Sequence, residues 1–327
     1  MNLLWTAVAV ALLVGGSLPA GAQTAPVAYP TKSVRVIDAY PPGGSTDIIA
    51  RLIAPKFQEL QGQAWLVDNR GGAGGIIGAD LVAKSPPDGY MLLLMSGNHT
   101  VHPAFYKNMP YDFLKAFAPI TWLTDTVMVL AAHPSVPAKS VKDLLALAKA
   151  SPGRLNFGSA GAGTATHLAG ELLKTMGGVS MTHIPYKGGA PSAVAAVGGE
   201  VDFVFLTMPV AAPHVKRGAL RGLAVSREKR SAAMPELPTV AESGLPGFVV
   251  TNASGLLAPA GTPREIINKL QQTVVQTLNM PDVRERLLGI GMEPVGNTPD
   301  QFGEYLKAEV AKWIRVVKSS GVETQVW

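Results

Sequence analysis

Two glycine-rich turns hold most of the residues whose types and spacing could do chemistry. The first turn spans residues 40–47 and reads YPPGGSTD; it follows an apolar, β-branched run at 34–37 and precedes apolar residues at helical spacing. Glycine permits a tight turn, and the start of a helix offers unpaired N–H groups and the positive end of its dipole. The pattern therefore predicts a strand, a turn and a helix, with the turn suited to an anion.

The second turn spans residues 158–164, reads GSAGAGT, and also lies between a strand pattern and a helix pattern. A phosphate-binding loop would carry lysine where this chain has Thr164, which argues against nucleotide hydrolysis. A serine-hydrolase elbow would carry glycine where this chain has Phe157, which argues against Ser159 as a nucleophile. Two turns that face anions instead indicate two half-sites, with one ligand held between two lobes.

The composition predicts a globular protein with a large core. The chain has 327 residues, 47% of them hydrophobic and 16% charged, which suffices for two domains. The absence of cysteine excludes disulfides, a thiolate nucleophile and cysteine-bound metal. A formal net charge of +5 either favours encounter with anions or is ordinary for solubility, and no long Lys/Arg run indicates a nucleic-acid partner.

The first 22 residues predict a cleavable secretory signal. They carry no charged side chain, and an apolar run at 3–14 leads to Ala20, Gly21 and Ala22, a small-residue cleavage pattern. Glycines at 15–16 and Pro19 interrupt the run well short of the roughly 20 apolar residues that a membrane span needs. We therefore predict cleavage near Ala22 and export to a bacterial periplasm, which a chain without thiols suits.

Strand and helix patterns alternate twice along the chain, before residue 96 and again from 127 to 225. This order predicts an α/β fold in which each lobe is a mostly parallel sheet flanked by helices, with ligands beyond the carboxyl ends of the strands. Three helical segments, each opened by proline, follow residue 262 without new strands and are expected to pack on the first lobe. We predict that lobe 1 comprises residues 23–124 plus 250–327 and lobe 2 residues 125–249.

Two histidines have the spacing of a metal-ligand pair on a helix, His99 and His102. Pro103 is expected to move His102 out of helical geometry, and no nearby carboxylate completes a ligand set. The sequence therefore predicts neither a metal nor a cofactor.

Three further polar residues are open to more than one interpretation. Asp47 is expected to stabilise the first turn of its helix, in preference to direct contact with an anion. His167 could face the cleft or hydrogen-bond the second turn. Lys187, which precedes two glycines, is expected to be a solvated surface residue in preference to a cleft cation.

Six segments in order along the chain carry a family resemblance: PPGGSTDIIAR (41–51), DNR (68–70), NFGSAGAGTATHL (156–168), IPYKGG (184–189), PTVAESG (238–244) and LAPAGTP (257–263). The set resembles the TctC/Bug family, the extracytoplasmic solute receptors of tripartite tricarboxylate transporters. The resemblance implies a two-lobed periplasmic-binding-protein (Venus flytrap) fold that closes on a small organic acid. It also implies that main-chain amides, hydroxyls and water hold the carboxylates.

Carried over by position, the resemblance places the ligand at the two turns. The implied first half-site is Gly43, Gly44, Ser45 and Asp47, and the second is Ser159, Ala160, Gly161, Thr164 and His167. The remaining predicted contacts stand near strand ends: Tyr40, Ser96, His99 and Thr207. The chain departs from the family's usual residues at His102, at Thr207 and near Asn252, which leaves the identity of the ligand open.

The predicted function is that of a receptor, not an enzyme. It would capture a mono- or dicarboxylate by closure and, as a monomer, deliver it to the membrane permease subunits of a tripartite tricarboxylate transporter. One alternative is a sensor that presents the same closed form to a membrane histidine kinase, and another is a periplasmic hydrolase using Ser159. Amino acids, aliphatic dicarboxylates, hydroxy acids, citrate and aromatic acids all remain candidate ligands, because recognition by backbone amides leaves little trace in the side chains.

Overall fold

The computed structural model describes residues 28–320 and 324–326. The predicted signal segment, residues 1–22, lies outside the described residues. Up to the middle of the chain the elements are β1 (Val34–Asp38), α1 (Ser45–Gln61), β2 (Trp65–Asn69), a 3-10 turn (Ala73–Gly75), α2 (Ile76–Ala83), β3 (Met91–Ser96), α3 (Asn98–Phe105), β4 (Tyr106–Lys107), α4 (Phe113–Ala116) and β5 (Phe117–Ala132).

The second part of the chain continues the alternation and then returns. Its elements are α5 (Val141–Ala150), β6 (Asn156–Ser159), α6 (Ala165–Gly177), β7 (Thr182–Pro185), α7 (Gly189–Val197), β8 (Phe203–Thr207), α8 (Met208–Lys216) and β9 (Arg221–Val225). The return consists of β10 (Thr251–Pro259), α9 (Arg264–Leu278), α10 (Pro281–Gly289), β11 (Met292–Pro294), α11 (Pro299–Ser320) and β12 (Gln325–Val326).

Ten strands join in one sheet whose order is β2-β1-β3-β10-β5-β8-β6-β7, with β11 and β9 also paired to β5. We call β2, β1, β3, β10, β11 and the first part of β5 the first half-sheet, and the rest the second half-sheet. Along β5, residues up to Val127 pair with β10, whereas residues from Met128 pair with β8. This single 16-residue strand therefore runs through both halves.

The two-lobed α/β architecture predicted from the sequence is confirmed. Parallel pairing holds for β1 with β2 and β3, and for β6 with β7 and β8. The strands between these groups run antiparallel, β10 to β3 and to β5, and β5 to β8. The reason is that β5 leads out of the first half and β10 leads back into it, so the chain crosses once in each direction.

Helices cover both faces of each half-sheet. Alternate residues of β3 enter two different cores: Leu92 and Leu94 pack with α1 and α9, and Leu93 and Met95 pack with α2 and α11. In the second half-sheet, β8 does the same, with Phe203 and Phe205 facing α5 and α6, and Val204 and Leu206 facing α7 and α8. Strands buried on both faces explain the continuous apolar runs of the sequence.

No helix in the described ranges combines the length and the apolar character that crossing a bilayer requires. All described helices pack against one of the half-sheets or against another helix. The helices after β10 pack mainly on the first half-sheet, with α9 and α11 both contacting β5.

Candidate functional site

A small cavity lies between the two half-sheets, at the carboxyl ends of β3 and β8. Its volume is about 40 Å³, and we call it the inner cavity. Both lobes line it, the first through Tyr40, Pro41, Gly44, Ser45, Thr46, Ser96, Asn98 and Asn252, and the second through Ala160, Ala165, Thr166, Gly188, Gly189, Pro191, Leu206 and Thr207.

Three helices that begin at the inner cavity have no side-chain cap. α1 follows Gly44 and α7 follows Gly188, and neither glycine has a side chain that could accept a hydrogen bond. α8 follows Thr207, whose hydroxyl does not cap the helix. The first N–H groups of a helix have no acceptor within the helix, and they carry the positive end of its dipole. Pro191 in α7 and Pro209 in α8 have no N–H, so the open donors are the amides of the other first-turn residues, and they belong to both lobes.

Two hydroxyls add to this donor set. The side chains of Ser45 and Thr207 make no hydrogen bond with a described residue, although the two residues are only 8% and 9% exposed. Ser96 lies beside the Tyr40 hydroxyl, but its Oγ makes no hydrogen bond of good geometry within the described residues. Buried hydroxyls are normally paired, so these groups are available to a ligand.

No described residue that lines the inner cavity is charged. Asp47, in the first turn of α1, does not line it: its oxygens accept hydrogen bonds from the Gly43 N–H at 3.0 Å and from Arg51 Nε at 2.9 Å. Burial acts to raise the pKa of Asp47, but the Arg51 and Gly43 hydrogen bonds outweigh it and the pKa is lowered. Asp47 is therefore an ionised carboxylate whose charge is balanced by Arg51, and it stabilises the first turn.

A second carboxylate, Asp38, supports the same turn from below. It is fully buried at the end of β1, and it accepts hydrogen bonds from Thr46 Oγ1 at 2.8 Å and from Asn69 Nδ2 at 3.1 Å. Burial raises the pKa of Asp38 to about 7, although the Thr46 hydrogen bond acts in the opposite direction. Sequence patterns did not single out Asp38, because an aspartate at a strand end is common in loops that bind nothing.

The second turn differs from the first because its own side chains satisfy its amides. The Gly161 N–H bonds to Ser159 Oγ, the Ala160 N–H to Thr166 Oγ1, and the Gly163 N–H to His167 Nδ1. Thr164 caps α6 by accepting the His167 N–H. The strand, turn and helix predicted here are present, but the open amides of the second lobe belong to α7 and α8.

Of the predicted contacts, six line the inner cavity: Tyr40, Gly44, Ser45, Ser96, Ala160 and Thr207. Gly161 lines a larger pocket outside it, together with Tyr40 and Ala160. The structure places Gly43, Asp47, His99, Ser159, Thr164 and His167 behind the cavity lining, where they hold the turns.

Ser159 meets a histidine, yet it is not set up for nucleophilic attack. Its Oγ lies 2.6 Å from His183 Nε2, and the His183 ring stacks on His167 at 3.9 Å. The Ser159 side chain is fully buried and does not line the cavity. Within the described residues, no carboxylate hydrogen-bonds to His183, so the orienting acid of a hydrolytic triad has no counterpart here.

His99 and His102 lie beneath the glycine-rich loop at 71–75, and both are fully buried. The expectation that Pro103 would take His102 out of helical geometry is wrong: α3 continues through Pro103. α3 packs against α11, which supports a helix that lacks one N–H. No group of three potential metal ligands occurs in the described part of the chain.

Several contacts join the two lobes around the cavity. The Asn98 side chain donates to the Tyr40 hydroxyl at 2.9 Å and accepts the Ala165 N–H, the first of α6, at 2.7 Å. At the outer rim, Tyr106 donates its hydroxyl hydrogen to the Ala162 carbonyl at 3.0 Å. The Asn98–Ala165 and Tyr106–Ala162 bonds join residues of different lobes and describe a closed arrangement, whereas the bond to Tyr40 holds Asn98 in place within the first lobe.

Sequence reasoning missed several cavity residues, notably Thr46, Asn98, Gly188 and Gly189. The glycine pair at 188–189 follows β7 and precedes α7, so it repeats the strand, turn and helix order in a shorter form. That order was a usable signal. Asn98 lies between Ser96 and His99 at a predicted strand end, but its contact with a residue 67 positions further along the chain could not be predicted from spacing.

Fold and cavity together define a class: two-lobed solute-binding proteins, in which helix starts from both lobes surround the ligand. Within this class, the chain belongs to the TctC family, the tripartite tricarboxylate transporter family receptors, whose family model matches residues 49–322.

Relatives with names or bound ligands are similar over nearly the whole chain. Protein BugT of Bordetella pertussis is 37% identical over 311 residues, which is 94% of each chain. A solved structure of an R. palustris protein with adipate is 37% identical, with a TM-score of 0.88, and covers 90% of this chain and 99% of that one. MatC from Rhodopseudomonas palustris with bound malate is 31% identical, with a TM-score of 0.84, and covers 88% and 100%.

Proposed function

We propose that this chain is a periplasmic receptor that captures a small organic acid in the inner cavity and delivers it to the permease of a tripartite tricarboxylate transporter. The observation that carries the proposal is the convergence of three uncapped helix starts, α1, α7 and α8, on a cavity without charged side chains. Such a site stabilises negative charge through fixed N–H dipoles and needs no cationic side chain.

The proposed ligand contacts are the open donors of this cavity. From the first lobe they are the first-turn amides of α1 and the Ser45 hydroxyl, and from the second lobe the first-turn amides of α7 and the Thr207 hydroxyl. Because they belong to both lobes, a carboxylate gains all of them only when the lobes are closed. Binding then shifts the population toward the closed form, which is the form that a permease would recognise.

The comparisons support a carboxylate as the ligand class. The two solved relatives described above hold adipate and malate, and both of these ligands are carboxylates. The proposed lobe boundaries remain 124/125 and 249/250. The change of pairing partner along β5 falls between Val127 and Met128, three residues after the first of these boundaries.

The proposal is tested by thermal unfolding of the chain from Gln23, the predicted start of the mature protein, against carboxylates and the corresponding amides. A ligand at a hundred times its dissociation constant stabilises the folded state by about 2.7 kcal/mol. We expect at least one carboxylate to raise the melting temperature while its amide does not. A shift with neutral compounds alone would overturn the anion site.

Replacing Thr207 by valine is expected to weaken the binding of that carboxylate about tenfold, because one hydrogen bond to a charged group is lost. Isothermal titration calorimetry measures the change. The matched control is Thr182→Val, at an exposed strand position whose hydroxyl bonds to the Gly153 carbonyl and which lines neither pocket. Equal affinities for the two variants would remove Thr207 from the site.

A further inference from the structure

The inner cavity is too small for most organic acids. A buried water molecule needs a cavity volume of roughly 10–15 Å³, so the inner cavity, at about 40 Å³, holds the equivalent of about three waters. That is room for a carboxylate group and little more. A ligand with a body of several carbons must extend out of the inner cavity.

A larger pocket provides the space for that body. Its volume is about 730 Å³, and we call it the outer pocket. It shares Tyr40, Pro41 and Ala160 with the inner cavity, so the two spaces adjoin along one wall. The opposite lobes close around it, with the loop at 71–75 on one side and residues 160–162 and 185–187 on the other.

The chemistry of the outer pocket differs from that of the inner cavity. Its walls are built largely from glycine and proline backbone and from the rings of Tyr40, Tyr106 and Tyr186. The tyrosine hydroxyls are already bonded, Tyr40 to the Gly74 carbonyl, Tyr106 to the Ala162 carbonyl and Tyr186 to Glu200. The surface offered to a ligand is therefore mainly apolar, which suits a hydrocarbon chain or ring.

One charged side chain lines the outer pocket among the described residues, Lys187. It is exposed, and it forms no ion pair with a described residue. It directly precedes Gly188, which lines the inner cavity, so the cation stands one residue from the proposed carboxylate site. No acidic residue lines the pocket in the described part of the chain, so nothing there neutralises Lys187 or repels a second anion.

We propose that the ligand is an extended diacid: one carboxylate in the inner cavity, an apolar body in the outer pocket, and a second anionic group paired with Lys187. This rests on the proposed function and adds the ligand's length and second charge. Lys187 is the specificity-determining residue that separates diacids from monoacids of equal length.

The test compares succinate, suberate and octanoate by calorimetry. Suberate is expected to bind at least about tenfold more tightly than succinate, because its four additional methylene groups are buried in the outer pocket and this gain exceeds the cost of ordering the chain. Suberate is also expected to bind about tenfold more tightly than octanoate, because only the diacid pairs with Lys187.

The variant Lys187→Met keeps the length of the side chain and removes its charge. We expect its affinity for suberate to fall to that for octanoate. Its affinity for octanoate is expected to equal that of the parent protein. The matched control is Lys216→Met, an exposed lysine at the far end of α8 that lines neither pocket. It is expected to retain the parent preference for suberate.

The outcomes separate this inference from the proposed function. Succinate binding at least as tight as suberate binding would overturn the extended body, and an unchanged suberate preference in Lys187→Met would overturn the role of the lysine. In both cases carboxylates still bind and the receptor stands. If none of the three acids binds, and no other carboxylate stabilises the protein in the thermal panel, the receptor and the extended diacid fail together.

Discussion

Alanine at position 163 is expected to weaken carboxylate binding about a hundredfold, the largest loss that we expect from any single methyl group in this protein. Gly163 lies in the second turn with φ +69°, and a Cβ there would stand 2.6 Å from the Phe105 ring of α3. Phe105 belongs to the first lobe and Gly163 to the second, so the methyl group pushes the two lobes apart. The open donors of α1 and α7 then no longer meet around one ligand.

Gly178→Ala is the matched control for this prediction. Gly178 has φ +62°, and a Cβ built on it meets no atom within 4 Å. Both substitutions carry the cost of a left-handed alanine, about 1–2 kcal/mol, so both are expected to lower the melting temperature of the ligand-free protein similarly. Calorimetry with the best carboxylate should find the loss of affinity in Gly163→Ala alone. Parent-like affinity in both variants would show that the Phe105 contact is not required for binding.

Acid is expected to destabilise the fold by several kcal/mol between pH 7 and pH 4. Burial lowers the pKa of His99 from 6.5 to about 4, of His183 to about 4 and of His167 to about 3, and it lowers the pKa of His102 well below its ordinary value. The unfolded chain therefore binds more protons than the folded one in this window, and stability falls as the pH falls. A histidine shifted from 6.5 to about 4 contributes a loss of about 2 kcal/mol at pH 5.

Asp38 changes the unfolding free energy in the opposite direction to the histidines, and the expected loss of several kcal/mol already includes its contribution. Its pKa is raised to about 7 in the folded state, so it adds stability as the pH falls from 7 toward 4 and offsets about one histidine. The measurement is the free energy of unfolding in urea at several pH values. His102→Phe is expected to reduce the loss of unfolding free energy between pH 7 and pH 4, because it removes one buried neutral histidine. If the unfolding free energy of His102→Phe fell as steeply with pH as that of the parent protein, the buried neutral His102 would not be a source of the acid sensitivity.

The alternation of strands and helices, the two lobes and both glycine turns could be predicted because they depend on local patterns. Residues 40–47 needed only a strand, two glycines and a helical repeat to indicate open amides facing an anion. The position of the second turn could be predicted, but whether its amides bind the ligand could not. Whether its amides are free depends on Thr166 and His167, whose side chains turn back to bond them.

The misses have the same origin in contacts made across the fold. Asn98 reaches the cavity because the closed lobes bring Ala165 within 2.7 Å of its side chain, which no spacing along the chain encodes. His183 meets Ser159 because β6 and β7 are neighbours in register. The sequence predicted a crossing between the lobes after residue 124, but it did not predict that one strand of 16 residues, β5, would pair with partners in both halves.

That shared strand also governs how the molecule comes apart. β5 forms backbone hydrogen bonds with β10 in one half-sheet and with β8 in the other. If either half-sheet unfolds, β5 loses the partners on that side and the remaining half-sheet is left with an unsupported strand. The two lobes are thereby coupled into one cooperative unit, and the core that combines Phe105 of α3 with residues of the second half-sheet adds to this coupling. Trp65 and Trp122 lie in the first half-sheet, whereas Trp313 packs in the core with Phe157 and Phe203 of the second, so their combined fluorescence should change in a single transition with denaturant.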